Sequence, residues 1–250
     1  MNSMKKILPL LLAAATLITL PSCRFIRVSD EFNESLFAEG LMSSDESAGE
    51  RITASDNFIT REAMAGDFHS LTCNLPGDVI YTPGDCAVSI YAPDNVMERI
   101  SVSNDNGTLV IKSNLNRVRN LKKITVNISS PVLESVNFNG AVDFNAPDGI
   151  TALNFDATVN GAGDININGL QASDAAITVN GAGDAKLEGL DCDILSISIN
   201  GAGDASLSGK TSRADLSISG AGDIDARNLS CSDINSKIRG MGSIKRPKAE

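Results

Sequence analysis

Five aspartates recur at near-constant spacing in the second half of this 250-residue chain: Asp143, Asp164, Asp184, Asp204 and Asp223. Asp164, Asp184 and Asp204 each close the pentapeptide Asn-Gly-Ala-Gly-Asp, with Asn-Gly-Ala-Val-Asp before them and Ser-Gly-Ala-Gly-Asp after. Carboxylates on such a beat support three kinds of chemistry. They can accept backbone N–H groups at a corner, gather a hard cation such as Ca2+, or offer acceptors to a ligand. Asn160, Asn180 and Asn200, preceded by Asn139, keep the same beat and form a second file. Stacked amides satisfy one another along the stack. Stacked carboxylates repel: at about 4.8 Å in water each neighbouring pair costs about 0.9 kcal/mol, so four pairs cost about 3–4 kcal/mol before screening. Something must offset that cost. Capping by corner N–H groups is the leading reading; a Ca2+ site or a ligand-facing stripe at Asp164, Asp184, Asp204 and Asp223, with a ligand ladder at Asn160, Asn180 and Asn200, are its rivals.

Other catalytic constellations are missing from the sequence. His69 is the only histidine, so any Ser-His-acid relay must use it, and no nucleophile elbow leads into a helix. No cysteine–histidine spacing fits a zinc site. Gly-Ala-Gly-Asp differs from a phosphate-cradling loop, which opens a helix and occurs once. Paired carboxylates could cleave glycans, but the repeat accounts for every one of them. No catalytic residue is assigned, and the chain is read as a non-enzyme.

The elements that must position these files are strands. The first glycines of the corners, Gly140, Gly161, Gly181, Gly201, Gly220 and Gly240, are spaced 21, 20, 20, 19 and 20 residues apart. A period near twenty marks a solenoid, whose single units cannot bury an apolar face alone. Three apolar columns repeat with it: Phe138, Val159, Val179, Ile199, Ile218 and Ile238; Phe144, Ile165, Ala185, Ala205, Ile224 and Ile244; and Ala146, Ile167, Leu187, Leu207 and Ala226. A fourth, Leu170, Leu190 and Leu229, is broken by Lys210. Alternate residues of a strand face opposite ways, so the expected fold is all-β, a right-handed parallel β-helix with coils of about 20 residues. The corner alanines suggest a tight bend. Residues 51–135 alternate in the same way between turn signals such as Pro83-Gly84-Asp85 and Asn104-Asp105-Asn106-Gly107, and read as an all-β part continuous with the repeats of 136–250.

The first 22 residues read as a lipoprotein signal peptide: Lys5 and Lys6, an apolar run from Ile7 to Leu20, then Leu-Pro-Ser before Cys23, in the manner of a bacterial lipobox. Cys23 is the expected lipid site and membrane anchor, and residues 23–50 an acidic, flexible tether. Removing the leader takes two lysines and no acid, leaving 19 basic against 31 acidic residues and a formal charge of −12. That balance, with two tyrosines and no tryptophan, argues against nucleic acid. Cys192 and Cys231 sit two coils apart, about 9.6 Å, beyond the roughly 7 Å limit of a disulfide. Two unpaired, inward thiols are expected there, while Cys73 with Cys86 stays open.

Four stretches carry a family resemblance: Asp67-Phe68-His69-Ser70-Leu71, the run from Asp78 to Asp85, the run from Asn106 to Ile111, and the Asn-Gly-Ala-Gly-Asp corners. Together they resemble the auto-transporter adhesin family with a head GIN domain, over Arg51 to Ile244. The resemblance implies a β-helical, lipid-anchored envelope protein and supplies no catalytic residues; the expected location is the outer membrane of a Gram-negative bacterium, facing the periplasm or the surface. Val142 in the first corner and Arg239 to Ser243 in the last depart from the pattern and read as caps. The expected function is adhesin-like binding of polysaccharide or a surface protein through the β-helix face. The rivals are a carbohydrate-active enzyme on the same scaffold and a structural envelope component that forms homo-oligomers.

Overall fold

Among the described residues, fifteen strands and one helical turn follow from a sequence that alternates apolar and polar. The computed structural model describes residues 51–115 and 118–247; Cys23, the leader and the tether lie outside them. The elements are β1 (Ile52–Thr53), β2 (Phe58–Ala63), β3 (Ser70–Asn74), β4 (Gly77–Pro83), β5 (Ala87–Pro93), α1 (Asp94–Met97), β6 (Ile100–Asp105), β7 (Thr108–Ser113), β8 (Val118–Arg119), β9 (Thr125–Ser130), β10 (Ser135–Ala146), β11 (Ile150–Thr151), β12 (Asn154–Ala162), β13 (Ile165–Ala182), β14 (Ala185–Ala202) and β15 (Ala205–Lys245). The repeat region is a parallel β-solenoid. β12 pairs with β13, β13 with β14 and β14 with β15, all parallel and with the corner Gly-Ala pairs opposite one another. Gly161, Gly181, Gly201 and Gly220 stand in file, as their spacing demands.

Inward columns fill the tube up to the last coil, where Ile238 is 44% exposed. Phe138, Val159, Val179, Ile199 and Ile218 are each at most 1% exposed, and Phe144, Ile165, Ala185, Ala205 and Ile224 at most 3%. The leucine column needs a correction. A register shift between Leu187 and Leu190 places Gly209, not Lys210, opposite Leu190. Lys210 falls one step on, opposite Asp191, and its ammonium lies 3.1 Å from that carboxylate. The shorter corner keeps the charge outside the tube.

Corner packing also differs from expectation. Ala162, Ala182 and Ala202 are exposed, and the tight contacts belong to the glycines. Gly201 has φ +144°, and a Cβ there would fall 2.0 Å from the carbonyl oxygen of Gly181 beneath. Gly203 has no unusual φ, yet a Cβ would meet the Gly183 oxygen at 2.0 Å. Both glycines serve close approach of stacked backbones.

Val142 is not a cap. It pairs with Gly77, is fully buried, and lies inside the stack, because β3 and β4 pair in parallel with β10 from below. β7 and β9 continue beneath β3 and β4, and antiparallel pairings of β2, β5 and β6 close that region. One sheet therefore runs β15-β14-β13-β12-β10-β4-β9-β5-β2. It joins the irregular first part to the repeats edge to edge.

Candidate functional site

The aspartate file is built by the corners. The Oδ1 of Asp143 accepts the N–H of Asp164 at 3.1 Å, Asp164 that of Asp184 at 2.9 Å, and Asp184 that of Asp204 at 2.8 Å. Asp204 accepts from Asp223 at 2.8 Å, and Asp223 from both the N–H and the hydroxyl of Ser243. A hydrogen bond to a charged group contributes about 1.5–3 kcal/mol, which outweighs the about 0.9 kcal/mol of each neighbouring repulsion. Each carboxylate thus satisfies the next coil's corner with one oxygen. The other oxygen of Asp164, Asp184 and Asp204 has no protein partner among the described residues.

Both ends of the file carry a lysine. Asp78 stands in register with Asp143 and bonds Lys123 through Oδ2 at 2.7 Å, while its Oδ1 is buried without a partner. The Asp78 carboxylate holds the Lys123 ammonium above its usual pKa. At the far end Lys245 lies 3.3 Å from Asp223, whose pKa is lowered by Ser243 first and Lys245 after it. Sequence reading missed Asp78, although Gly77-Asp78-Val79 repeats the corner's Gly-Asp-apolar order. The 65-residue gap between Asp78 and Asp143 hid it, because the chain fills that gap with β5 to β9 before returning.

The amides form the ladder that their spacing suggests. Asn200 donates to Asn180 at 2.9 Å, Asn180 to Asn160 at 2.9 Å and Asn160 to Asn139 at 3.1 Å. Asn139 donates to Asn74 at 2.8 Å, a further rung supplied by β3. These amides spend hydrogen bonds on one another, which leaves fewer for a ligand than the aspartates have.

On the outer side of the file runs a groove of about 450 Å3, bordered by Asp164, Asp184, Asp204, Asp223, Lys186 and Lys245. A smaller trough of about 290 Å3, lined by Asn145, Asn166, Asn168 and Glu188, joins it through Asn166 and Lys186. Carboxylates, amides and ammonium groups share this surface. The carboxylates follow a line and do not converge: among the described residues no three histidine, cysteine, aspartate or glutamate side chains are grouped to hold a metal ion.

His69 does not build a relay. Its Nδ1 is 3.2 Å from the Ser70 hydroxyl and 3.0 Å from Glu134, so nucleophile and acid crowd one nitrogen where a relay needs them on opposite ones. The four described cysteines are free thiols. Cys192 is buried and stands opposite Thr211, while Cys231 is only partly buried. Burial pushes the Cys73 thiol up to about 11. Among the described residues no helix is long and apolar enough to cross a membrane.

Comparison with known proteins follows the same architecture. A family model described as "Putative auto-transporter adhesin, head GIN domain" matches residues 67–190 and 164–246. The crystal structure of a "putative adhesin" from Bacteroides fragilis NCTC 9343 is 27% identical, covers 78% of this chain and 99% of its own, and superposes with a TM-score of 0.67. A "putative adhesin" from Parabacteroides merdae ATCC 43184 is 21% identical over 78% of this chain and 83% of its own, with a TM-score of 0.60. A "putative lipid binding protein" from Parabacteroides distasonis ATCC 8503 is 19% identical over 80% and 100%, with a TM-score of 0.54. The last two likenesses concern the fold alone. No curated protein matches this chain.

Proposed function

Because the chain belongs to the auto-transporter adhesin family with a head GIN domain, we propose that it is a binding protein of the cell envelope that holds a neutral glycan on its solenoid face. The observation that carries this reading is the row of carboxylate oxygens left over after the corners are capped. They border a continuous groove and repeat at the strand spacing of about 4.8 Å. Sugar hydroxyls donate to carboxylates in short, charge-assisted bonds, and the neighbouring amides and Lys186 add donors. An anionic glycan would meet like charge here, so a neutral one fits better. The same row has no acid and base converging on a point, which supports binding over cleavage. Lipid attachment at Cys23, ahead of an acidic tether, would hold this face off an outer membrane.

The test is a glycan array probed with the full chain in detergent, followed by titration of any hit. The double variant Asp184→Asn, Asp204→Asn keeps the capping oxygens and replaces the free ones with amides. Binding is expected to weaken at least tenfold without a fall in melting temperature. Unchanged binding, or no glycan bound at all, removes the reading. Metabolic labelling with a radioactive fatty acid, with and without Cys23→Ser, checks the anchor separately.

A further inference from the structure

The aspartate file ends at Asp78, but its register continues beyond it. β4 passes the register to β9 and β9 to β5, so that Asp78 stands opposite Thr125 and Thr125 opposite Tyr91. The flanking residues Val79, Val126, Ile90 and Ala92 are buried, so Tyr91 lies on the same outer surface as the carboxylates. It is 45% exposed and the only exposed aromatic among the described residues, in a chain with two tyrosines, eight phenylalanines and no tryptophan. Its ring stacks on Phe58 at 4.9 Å between centroids and 26° between planes. The Lys122 ammonium lies over the Phe58 ring, 6.0 Å from its centre, and pairs with Asp56. The tyrosine is thus supported by its stack on Phe58 while nearly half its surface faces water.

An aromatic face fixed on a rigid sheet presents apolar area without the entropy cost of ordering a mobile side chain. A pyranose ring has a matching apolar face of C–H groups beside its hydroxyls. Building on the glycan reading, we infer that Tyr91, backed by Phe58, is a stacking platform for one end of an extended neutral glycan whose other end occupies the aspartate groove. The distances set the ligand's size. Tyr91 is four strand steps from Asp164, about 19 Å, and seven from Asp223, about 34 Å. One or two sugars cannot span that interval; a linear chain can. The Lys123–Asp78 ion pair lies midway and supplies a donor for the sugars between.

The experiment titrates the full chain in detergent with linear neutral octasaccharides of glucose, mannose and galactose units and with the matching disaccharides. The wild type is expected to bind at least one octasaccharide more tightly than its disaccharide. Tyr91→Ala should weaken that octasaccharide about tenfold and leave the disaccharide unchanged, while Tyr91→Phe should bind as the wild type does. Tyr91→Leu, which keeps a bulky apolar residue on β5 but no ring face, should match the alanine variant and guards against misfolding. Leucine or alanine variants that bind the octasaccharide normally overturn the platform and leave the groove reading intact. Failure of the wild type to bind any octasaccharide overturns both. Choline broadening the Tyr91 ring resonances when no sugar does, or a self-associated chain released by Tyr91→Ala, would assign the platform to a cation or to a second copy and overturn the inference equally.

Discussion

Each corner aspartate carries two roles on two oxygens, and substitution separates them. Asp184→Asn keeps an acceptor for the Asp204 N–H while removing charge between Asp164 and Asp204. It is expected to leave stability unchanged or raise it by up to about 1 kcal/mol at low salt, with the gain fading as salt screens the file. Asp184→Ala leaves that N–H to water and should cost about 1 kcal/mol net of the relieved repulsion; urea unfolding of the three proteins at two salt concentrations checks the order. Acid acts on the last coil. Asp225 is lowered to about 2 by the Arg227 guanidinium and N–H, and Asp223 is lowered by Ser243 and Lys245. A depressed carboxylate stabilises the fold above its unfolded value of 3.8, and that contribution disappears as pH falls through the folded value. Amide exchange at Ser243 and Arg227 should therefore accelerate between pH 3.8 and about 2, relative to amides of the Phe144 column.

At the scale of the corner element, stacking separates glycine from alanine. Gly201→Ala puts a methyl 2.0 Å from a backbone oxygen at a φ that side chains rarely adopt. It is expected to cost about 2–4 kcal/mol, since two coils must part to admit it. Ala202→Ser, one residue on, points into solvent and should stay within about 0.5 kcal/mol of wild type; denaturant midpoints compare the two. The periodic sequence made both residues look equally constrained. Spacing reveals that a position repeats, whereas the φ angle and the direction of Cβ reveal why. The same limit explains Lys210, which counting by twenty put in the leucine column. A one-residue contraction at the corner is invisible until the strands on either side are paired.

Across the whole molecule, the shared sheet makes the first part and the repeats one cooperative stack. Phe144 sits at the junction, opposite Val79 on one side and Ile165 on the other, and packs 5.3 Å from Phe138. Phe144→Ala should cost about 3–5 kcal/mol. Hydrogen exchange should then rise both in β4 and in β12–β13, whereas two independent parts would confine the change to one. Coupling of this kind also gives the proposed binding face its reach, because a rigid sheet holds Tyr91 and Asp223 in one register.

What the sequence determined by itself was the solenoid: a twenty-residue beat of glycine corners and aliphatic columns has few ways to bury its apolar face other than stacking on itself. The aspartate and asparagine files came with it, since equal spacing along a stack is equal position across it. Where those files end is set by the folded pairing of unlike strands. Asn74, Asp78, Thr125 and Tyr91 lie in irregular sequence, and the pairings that align them run between strands up to 65 residues apart. Periodicity encodes neighbours that recur. Pairing between unlike strands is set by the packing of their buried faces, and that is settled only when the chain has folded.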